Sequence, residues 1–427
     1  MGNDSLIAHR TREQLRQFMG IFYPHFSKPA LGFIGEMLYG IQAAKDIKLS
    51  AIGRCLEEKI PLKKTEERLS RNLKHPDMER VLSECVAKEA SRHIHRDTLI
   101  VIDPTDIQKL YAKKMPLLEK VWDGSKSKVG ENLGYNCCLA MACESRTRRI
   151  IPLHMRLWSC SADGFKSLNN EISQTVETIR AQAGNRGIYV MDRGADGMNI
   201  YNMFMDNRLR FIIRMVGDRN LIWRKRTILA EKLADKCHMS FIDTIKRETP
   251  KGEKSYEIQY GCMDVTLPDR PDIPLRMVVV KGFSQKPMMI LTNLAETTSR
   301  KALEQVVYGY LTRWRVEDAI RWIKQSYRIE DIRLMNYTRL KNMMVFLLAA
   351  AYFASVWLGE SLRMKILVHN ITRISKRLFG VAEFHYYAIA DGLARLFNRH
   401  GKGFEVLPNN ASPPSKQLLL SLFFEST

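Results

Sequence analysis

Four side chains in the segment YLTRWRVEDAIRWIK (310–324) have the types and the spacing to handle a phosphate and a metal ion side by side. Tyr310, Arg313, Glu317 and Lys324 stand at offsets of 0, 3, 7 and 14. At about 100° per residue on an α-helix they project at roughly 0°, −60°, −20° and −40°, which is one narrow stripe. A carboxylate flanked by two cations and a phenol is costly to bury as plain core. It suits a divalent ion held next to a phosphate backbone. The same spacing also describes a solvated helix face with Glu/Arg pairs, so the stripe becomes a site only if other carboxylates join it.

Two aspartates qualify by position. TLIVIDPTDI (98–107) reads as a buried strand ending in Asp103. GIYVMDRGADG (187–197) reads as a strand running into a Gly-rich turn, with Asp192 at its C-terminal end. Open α/β sheets build their sites outside the carboxyl ends of strands, so the two can converge there. Two or three carboxylates that leave room for water and phosphate oxygens form a Mg²⁺ pattern. Two such ions about 3.5–4 Å apart activate a water or hydroxyl and stabilise a leaving oxygen. Each aspartate alone is also a common turn cap, and Asp106 and Asp196 are rival ligands at the same two corners. Neither a Walker loop nor GxGxxG is present, which leaves a nucleotide-fuelled reaction without support.

The elements that must position these residues follow from texture. Residues 1–95 read as helical, with Ser50 capping a helix to about Lys59. Beyond Pro61, residues 62–75 make a basic helix with Leu69 and Leu73 inward and Arg68, Arg71 and Lys74 outward. Residues 96–217 alternate strands (98–107, 136–145, 149–159, 187–192, 210–217) with helices, as a mixed α/β sheet with helical cover does. Residues 218–285 change to strand-length runs between Pro- and Gly-rich turns and read as a separate small β insertion. Residues 286–360 return to a buried strand (288–294) and then a long helical segment from Ser299 that carries the stripe. Residues 361–427 read as a helical region with a loose tail at 407–417.

Composition bounds the partners. The 427 residues carry a net charge of +21 spread along the chain, which calls for a polyanion and most simply nucleic acid. The longest apolar run, Met343–Leu358, is short of the about 20 residues that span a bilayer and reads as a buried helix. No apolar h-region follows the N-terminus, so no secretory signal is expected. Eight cysteines without a CxxC pair fit a reducing cytoplasm, and His93 and His95 lack companion ligands.

With these residues in place, the chain resembles bacterial insertion-sequence transposases of the DDE class with a Tyr-Arg-Glu-Lys signature. The resemblance is carried by IDPTD (Asp103), MDRGADG (Asp192) and the Tyr310/Arg313/Glu317/Lys324 helix, and it spans residues 45–350. It implies an α/β fold: a ribonuclease-H-like mixed sheet with flanking helices, an all-β insertion and an N-terminal helical DNA-binding domain. It implies two Mg²⁺ or Mn²⁺ ions on Asp103, Asp192 and Glu317, with Tyr310, Arg313 and Lys324 holding DNA phosphates. The reaction would be nicking at element ends, then attack of the freed 3′-hydroxyl on target DNA. Relatives with the insertion stack an extruded base on an aromatic, a role open here to Trp223 or Trp314, each of which also reads as core. The partners implied are double-stranded element ends and target DNA and a second copy in the synaptic complex, in a bacterial cytoplasm at the nucleoid. Two alternatives stay open: a ribonuclease-H-like nuclease without strand transfer, and a DNA-binding regulator with an idle acidic site.

Overall fold

Apolar residues three and four apart turn the N-terminal segment into five helices: α1 (Asn3–Met19), α2 (Lys28–Ala44), α3 (Leu49–Leu56), α4 (Leu62–Asn72) and α5 (Met78–Ser91). The computed structural model describes residues 3–404, apart from residue 111 and residues 124–127, 145–148, 250–251, 295–298, 360–361, 376–385 and 401–402. The expected tail at 407–417 lies outside the described residues. Along α2, Leu31, Ile34, Leu38 and Ile41 all face inward. Helix α3 begins one residue before the expected cap Ser50, behind an extended Lys48, and closes early at Glu57, whose φ is 51°. In α4, Leu69 and Leu73 are buried as expected. Arg68 departs from expectation: it turns in to donate to Glu36 and Glu58 at 2.7 Å each, because two carboxylates wait on neighbouring elements.

Strands β1 (Leu99–Gln108), β2 (Glu119–Asp123), β3 (Lys128–Cys143) and β4 (Ile150–Trp158) follow, then α6 (Leu168–Ala183), β5 (Ile188–Met191), α7 (Met198–Asp206) and β6 (Arg210–Arg214). Ser167 caps α6 by accepting the Asn170 N–H at 3.1 Å, and Gly184 stops it. The core strands lie in the order β4-β3-β1-β5-β6. β1, β5 and β6 run parallel, and β3 runs antiparallel to both of its neighbours β1 and β4. That order and those directions are a ribonuclease-H-like fold. β1, β5 and β6 are covered on both faces, which is why Leu99–Ile102, Ile188–Met191 and Phe211–Ile213 are unbroken buried runs.

The β-rich segment comprises β7 (Asn220–Trp223), β8 (Arg226–Leu229), α8 (Ala230–Asp235), β9 (Phe241–Thr249), β10 (Gly252–Leu267) and β11 (Arg270–Lys281), and β12 (Met288–Thr292) then returns to the core. It does not form a sheet of its own. β11 pairs with β12 and β12 pairs with β6, so one twelve-stranded sheet runs through both regions. Periodicity marks strands but not their partners, and the sequence therefore reads as a separate unit where hydrogen bonding is continuous.

Helices α9 (Arg300–Leu311), α10 (Arg313–Ser326), α11 (Tyr337–Ser355), α12 (Leu362–Ser375) and α13 (Tyr386–His400) complete the chain. The apolar run is helix α11 as expected, buried from Met343 to Ser355 and packed against α2, α5 and β4. Its Asn342 donates to the Leu73 and His75 carbonyls at 2.8 Å, and Gln42 donates to the Ala350 carbonyl at 2.7 Å, so the buried amides tie the N-terminal helices to α11. No described helix is long and apolar enough to cross a membrane. All eight cysteines are free.

Candidate active site

Strand register places the two aspartates. β1 and β5 pair in parallel as Leu99↔Ile188, Ile100↔Tyr189 and Val101↔Val190. Two further steps set Asp103 beside Asp192 at the carboxyl edge of the parallel strands. Asp103 does not end its strand, contrary to the sequence reading: β1 continues to Gln108 by pairing with β3 on its other side, where Asp103 faces Leu139. What ends near Asp103 is the parallel ladder, and the opening of that ladder leaves the Asp103 side chain 19% exposed. Asp192 directly follows β5 and caps a short 3₁₀ turn, accepting the Gly194 N–H at 2.8 Å. A Cβ on Gly194 would lie 3.0 Å from that same carboxylate oxygen, so glycine lets the turn close tightly.

The helix carrying the stripe is in two pieces. α9 and α10 meet at Thr312, which keeps helical dihedrals (φ −59°, ψ −22°) while its hydroxyl bonds back to the Tyr308 carbonyl at 2.9 Å. Tyr310 lies at the end of α9, only 2% exposed, and its hydroxyl has no hydrogen-bond partner among the described residues. The Arg313 guanidinium lies 5.9 Å from the Tyr310 ring, 2.6 Å from the Glu317 carboxylate and 3.8 Å from that of Asp103. Lys324 reaches across to β1, donating to the Asp106 carbonyl at 2.5 Å with the Asp106 carboxylate at 3.9 Å. The stripe thus faces β1 and the β5 turn, and all six expected residues are brought to one corner.

The rivals separate from the site. Asp106 is engaged by Lys324. Asp196 is consumed by structure: it is ion-paired to Arg219 and accepts from Tyr201 at 2.9 Å and from the Val216 N–H at 2.6 Å. Trp314, one turn from Glu317, meets Phe283 edge-on at 5.5 Å. Trp223 lies on the β7–β8 hairpin beneath Arg224, with its guanidinium 4.4 Å from the ring.

Electrostatics record the crowding of carboxylates. Burial pushes the Asp103 carboxyl up to about 6; Arg313 opposes this, Asp192 and Glu317 add to it, and Lys324 opposes it more weakly. Burial pulls Arg313 down, but Tyr310, Glu317, Asp103 and Asp192 together outweigh it and hold the guanidinium above its ordinary range. Among the described residues no group of three His, Cys, Asp or Glu side chains is already disposed as a metal cage. The donor set nevertheless fits divalent ions. Three hard carboxylates converge, their mutual repulsion is what a cation relieves, and a buried phenol oxygen close by lacks a partner.

Several supports carry no sequence signal. Lys109, 2% exposed at the far end of β1, donates to the Ile329 and Glu330 carbonyls at 2.8 and 3.0 Å, and burial pulls its pKa down to about 7. It ties the strand that carries Asp103 to the turn that follows α10. From the β-rich segment, Asp243 accepts from Tyr308 at 2.5 Å, and Phe283 sits between Trp314, which it meets edge-on, and Tyr256, to which it is tilted. An isolated Lys or Phe just beyond the end of a strand shows no period or motif that could have identified it.

Comparison with known proteins identifies a family for this chain. A family model described as "Transposase DDE domain" matches residues 94–353. A cryo-EM structure of a piggyBac transposase synaptic complex with hairpin DNA matches at 11% identity and a TM-score of 0.47, covering 99% of this chain and 84% of that one. A likeness of that degree carries no argument about function. No curated protein matches.

Proposed function

The chain belongs to the transposase DDE domain family, and from that premise we propose that it is a cut-and-paste DNA transposase with Asp103, Asp192 and Glu317 as its catalytic carboxylates. One observation carries the assignment. Strand register brings Asp103 level with Asp192, and Arg313 links Asp103 to Glu317 through contacts of 3.8 and 2.6 Å.

The three carboxylates would hold two Mg²⁺ or Mn²⁺ ions, which supply an activated oxygen nucleophile and charge stabilisation at the leaving oxygen when bound. The chain's own residues bind and orient. Arg313, held protonated by its neighbours, presents a planar cation to a DNA phosphate beside the carboxylates. The unpartnered Tyr310 hydroxyl offers a hydrogen bond to the same group. Lys324, braced on the Asp106 carbonyl, adds positive charge at the β1 side. Trp314, adjacent to the site on α10, is the better placed of the two tryptophans to stack on an unpaired base; Trp223 stands on a distant hairpin. The protein would act as a homodimer that synapses two double-stranded element ends before meeting target DNA. Its place would be the bacterial cytoplasm, at the nucleoid.

Incubation with the inverted repeats that flank its own coding frame, plus Mg²⁺, tests the reading. The expected products are cleaved ends and ends joined to target DNA. Cleavage that never yields joined product would return the reading to a nuclease, and full activity in Asp192→Ala would remove the site assignment.

A further inference from the structure

Far along the sheet from the carboxylates, β7 and β8 form a hairpin whose two-residue tip is Arg224–Lys225. The register Trp223↔Arg226 leaves only those two residues to turn the chain. Both adopt left-handed backbone, with φ of 49° and 63°. A two-residue turn of this kind strongly favours Asn-Gly, because side chains with a Cβ are strained there. Long basic side chains at both positions oppose the local preference, and strain of that kind points to a role outside folding.

The surroundings indicate the role. Arg224, Lys225 and Arg226 are all exposed. The Arg224 guanidinium lies over the Trp223 ring at 4.4 Å, and the Lys236 ammonium stands 5.9 Å from the same ring. None of these four cations has an ion pair among the described residues. Arg224 and Lys225 rim a cavity of about 370 Å³ whose one acidic side chain, Asp264, is already paired to Arg276 at 3.1 Å. The tip is therefore a cluster of unneutralised cations, part of it preorganised on an aromatic ring.

We infer that the β7–β8 hairpin tip is a second contact for the DNA duplex, gripping its phosphate backbone at a distance from the cleaved bond. The inference rests on the transposase reading above. The sheet order places β7 five strands from β5, about 24 Å at about 4.8 Å per strand. A duplex rising about 3.4 Å per base pair covers that span in roughly seven base pairs. A rigid helix held at Asp192 therefore has phosphates within reach of Arg224 and Lys225, and the contact would read charge, not sequence.

The test pairs Arg224→Asn with Lys225→Gly in the full-length protein. These residues suit the turn, so the double variant should melt a few degrees higher than wild type. Its affinity for an element-end duplex should nevertheless fall about 10- to 100-fold at 0.1 M salt, and the slope of log K against log salt should flatten by about 2. A Lys225→Arg variant should keep both affinity and slope. A double variant that binds with wild-type affinity and slope, while wild type binds and cleaves its ends, would overturn the hairpin contact alone. A wild-type protein with no salt-dependent duplex binding would overturn the contact and the transposase reading together.

Discussion

Arg313 touches two of the three carboxylates assigned to catalysis, Glu317 at 2.6 Å and Asp103 at 3.8 Å. One guanidinium cannot neutralise those groups and a DNA phosphate in full at the same time. The protein without DNA therefore holds its carboxylates partly engaged, and a phosphate that draws Arg313 away frees them for metal. DNA and divalent ions should bind with positive coupling.

Removing the shared cation tests this coupling. At pH 8, where Asp103 is ionised, Arg313→Gln should bind Mn²⁺ about 3- to 10-fold more tightly than wild type in the absence of DNA. The same variant should bind duplex more weakly and lose the coupling between the two ligands. Titration calorimetry with and without an element-end oligonucleotide reads both quantities. Weaker Mn²⁺ binding by the variant would show that Arg313 supports the carboxylates and does not compete for them.

Asp192→Asn and Glu317→Gln keep shape and remove charge. Each should reduce end cleavage by about 10³-fold or more while leaving duplex affinity within about threefold of wild type. A cleavage assay at saturating DNA beside a binding isotherm separates the two effects. Asp196→Asn should behave differently, because Asp196 serves Arg219, Tyr201 and the Val216 N–H, and its loss should appear as lower stability.

Asp103 gives a signed pH dependence. Its folded pKa of about 6 lies above the ordinary 3.8, so the folded protein holds a proton that the unfolded chain has released. The contribution of this group to stability is full below about pH 4 and is lost as pH rises through about 6. Asp103→Asn should therefore be more stable than wild type at pH 8, by no more than about 3 kcal/mol, and should show no gain at pH 4. Denaturant unfolding at the two pH values checks the sign. In wild type, Mn²⁺ affinity should weaken as pH falls below about 6, because protonated Asp103 is a poorer ligand.

Gly282 governs a contact that supports the helix carrying Glu317. Its φ is 108°, and a Cβ there would lie 2.1 Å from the Glu257 carbonyl oxygen. Gly282→Ala should cost about 2–4 kcal/mol of stability and loosen the Phe283–Trp314 contact next to Glu317. Chemical denaturation measures the first effect, and Trp fluorescence in the folded state reports the second.

The legible part of this protein was the part written in local pattern. Unbroken apolar runs marked β1, β5 and β6, and helical spacing put Arg313, Glu317 and Lys324 on one face of α10. The amphipathic spacing of residues 167–184, ending on a glycine, likewise marks α6, whose observed bounds are Leu168–Ala183. Pairing was not legible. Nothing local to Asp103 says that β1 continues to Gln108 along β3 after β5 has ended. Nor does anything near Arg68 announce Glu36 on α2 and Glu58 in the connection after α3. Lys109 carries no local signal for the same reason, since its partners are carbonyls more than two hundred residues away.

The unbroken sheet also constrains how the chain folds. β12 must pair with β6 across the excursion of residues 215–287, and β11 is bonded to β12 on its far side. Contacts of such sequence separation close late and slowly. During synthesis β1, β5 and β6 emerge first, but β6 keeps an open edge until β12 follows the β-rich segment out. Helix α10, and Glu317 with it, comes later still. The proposed site is thus completed only after the long strands beside it are in place, so an interrupted chain holds Asp103 and Asp192 without Glu317.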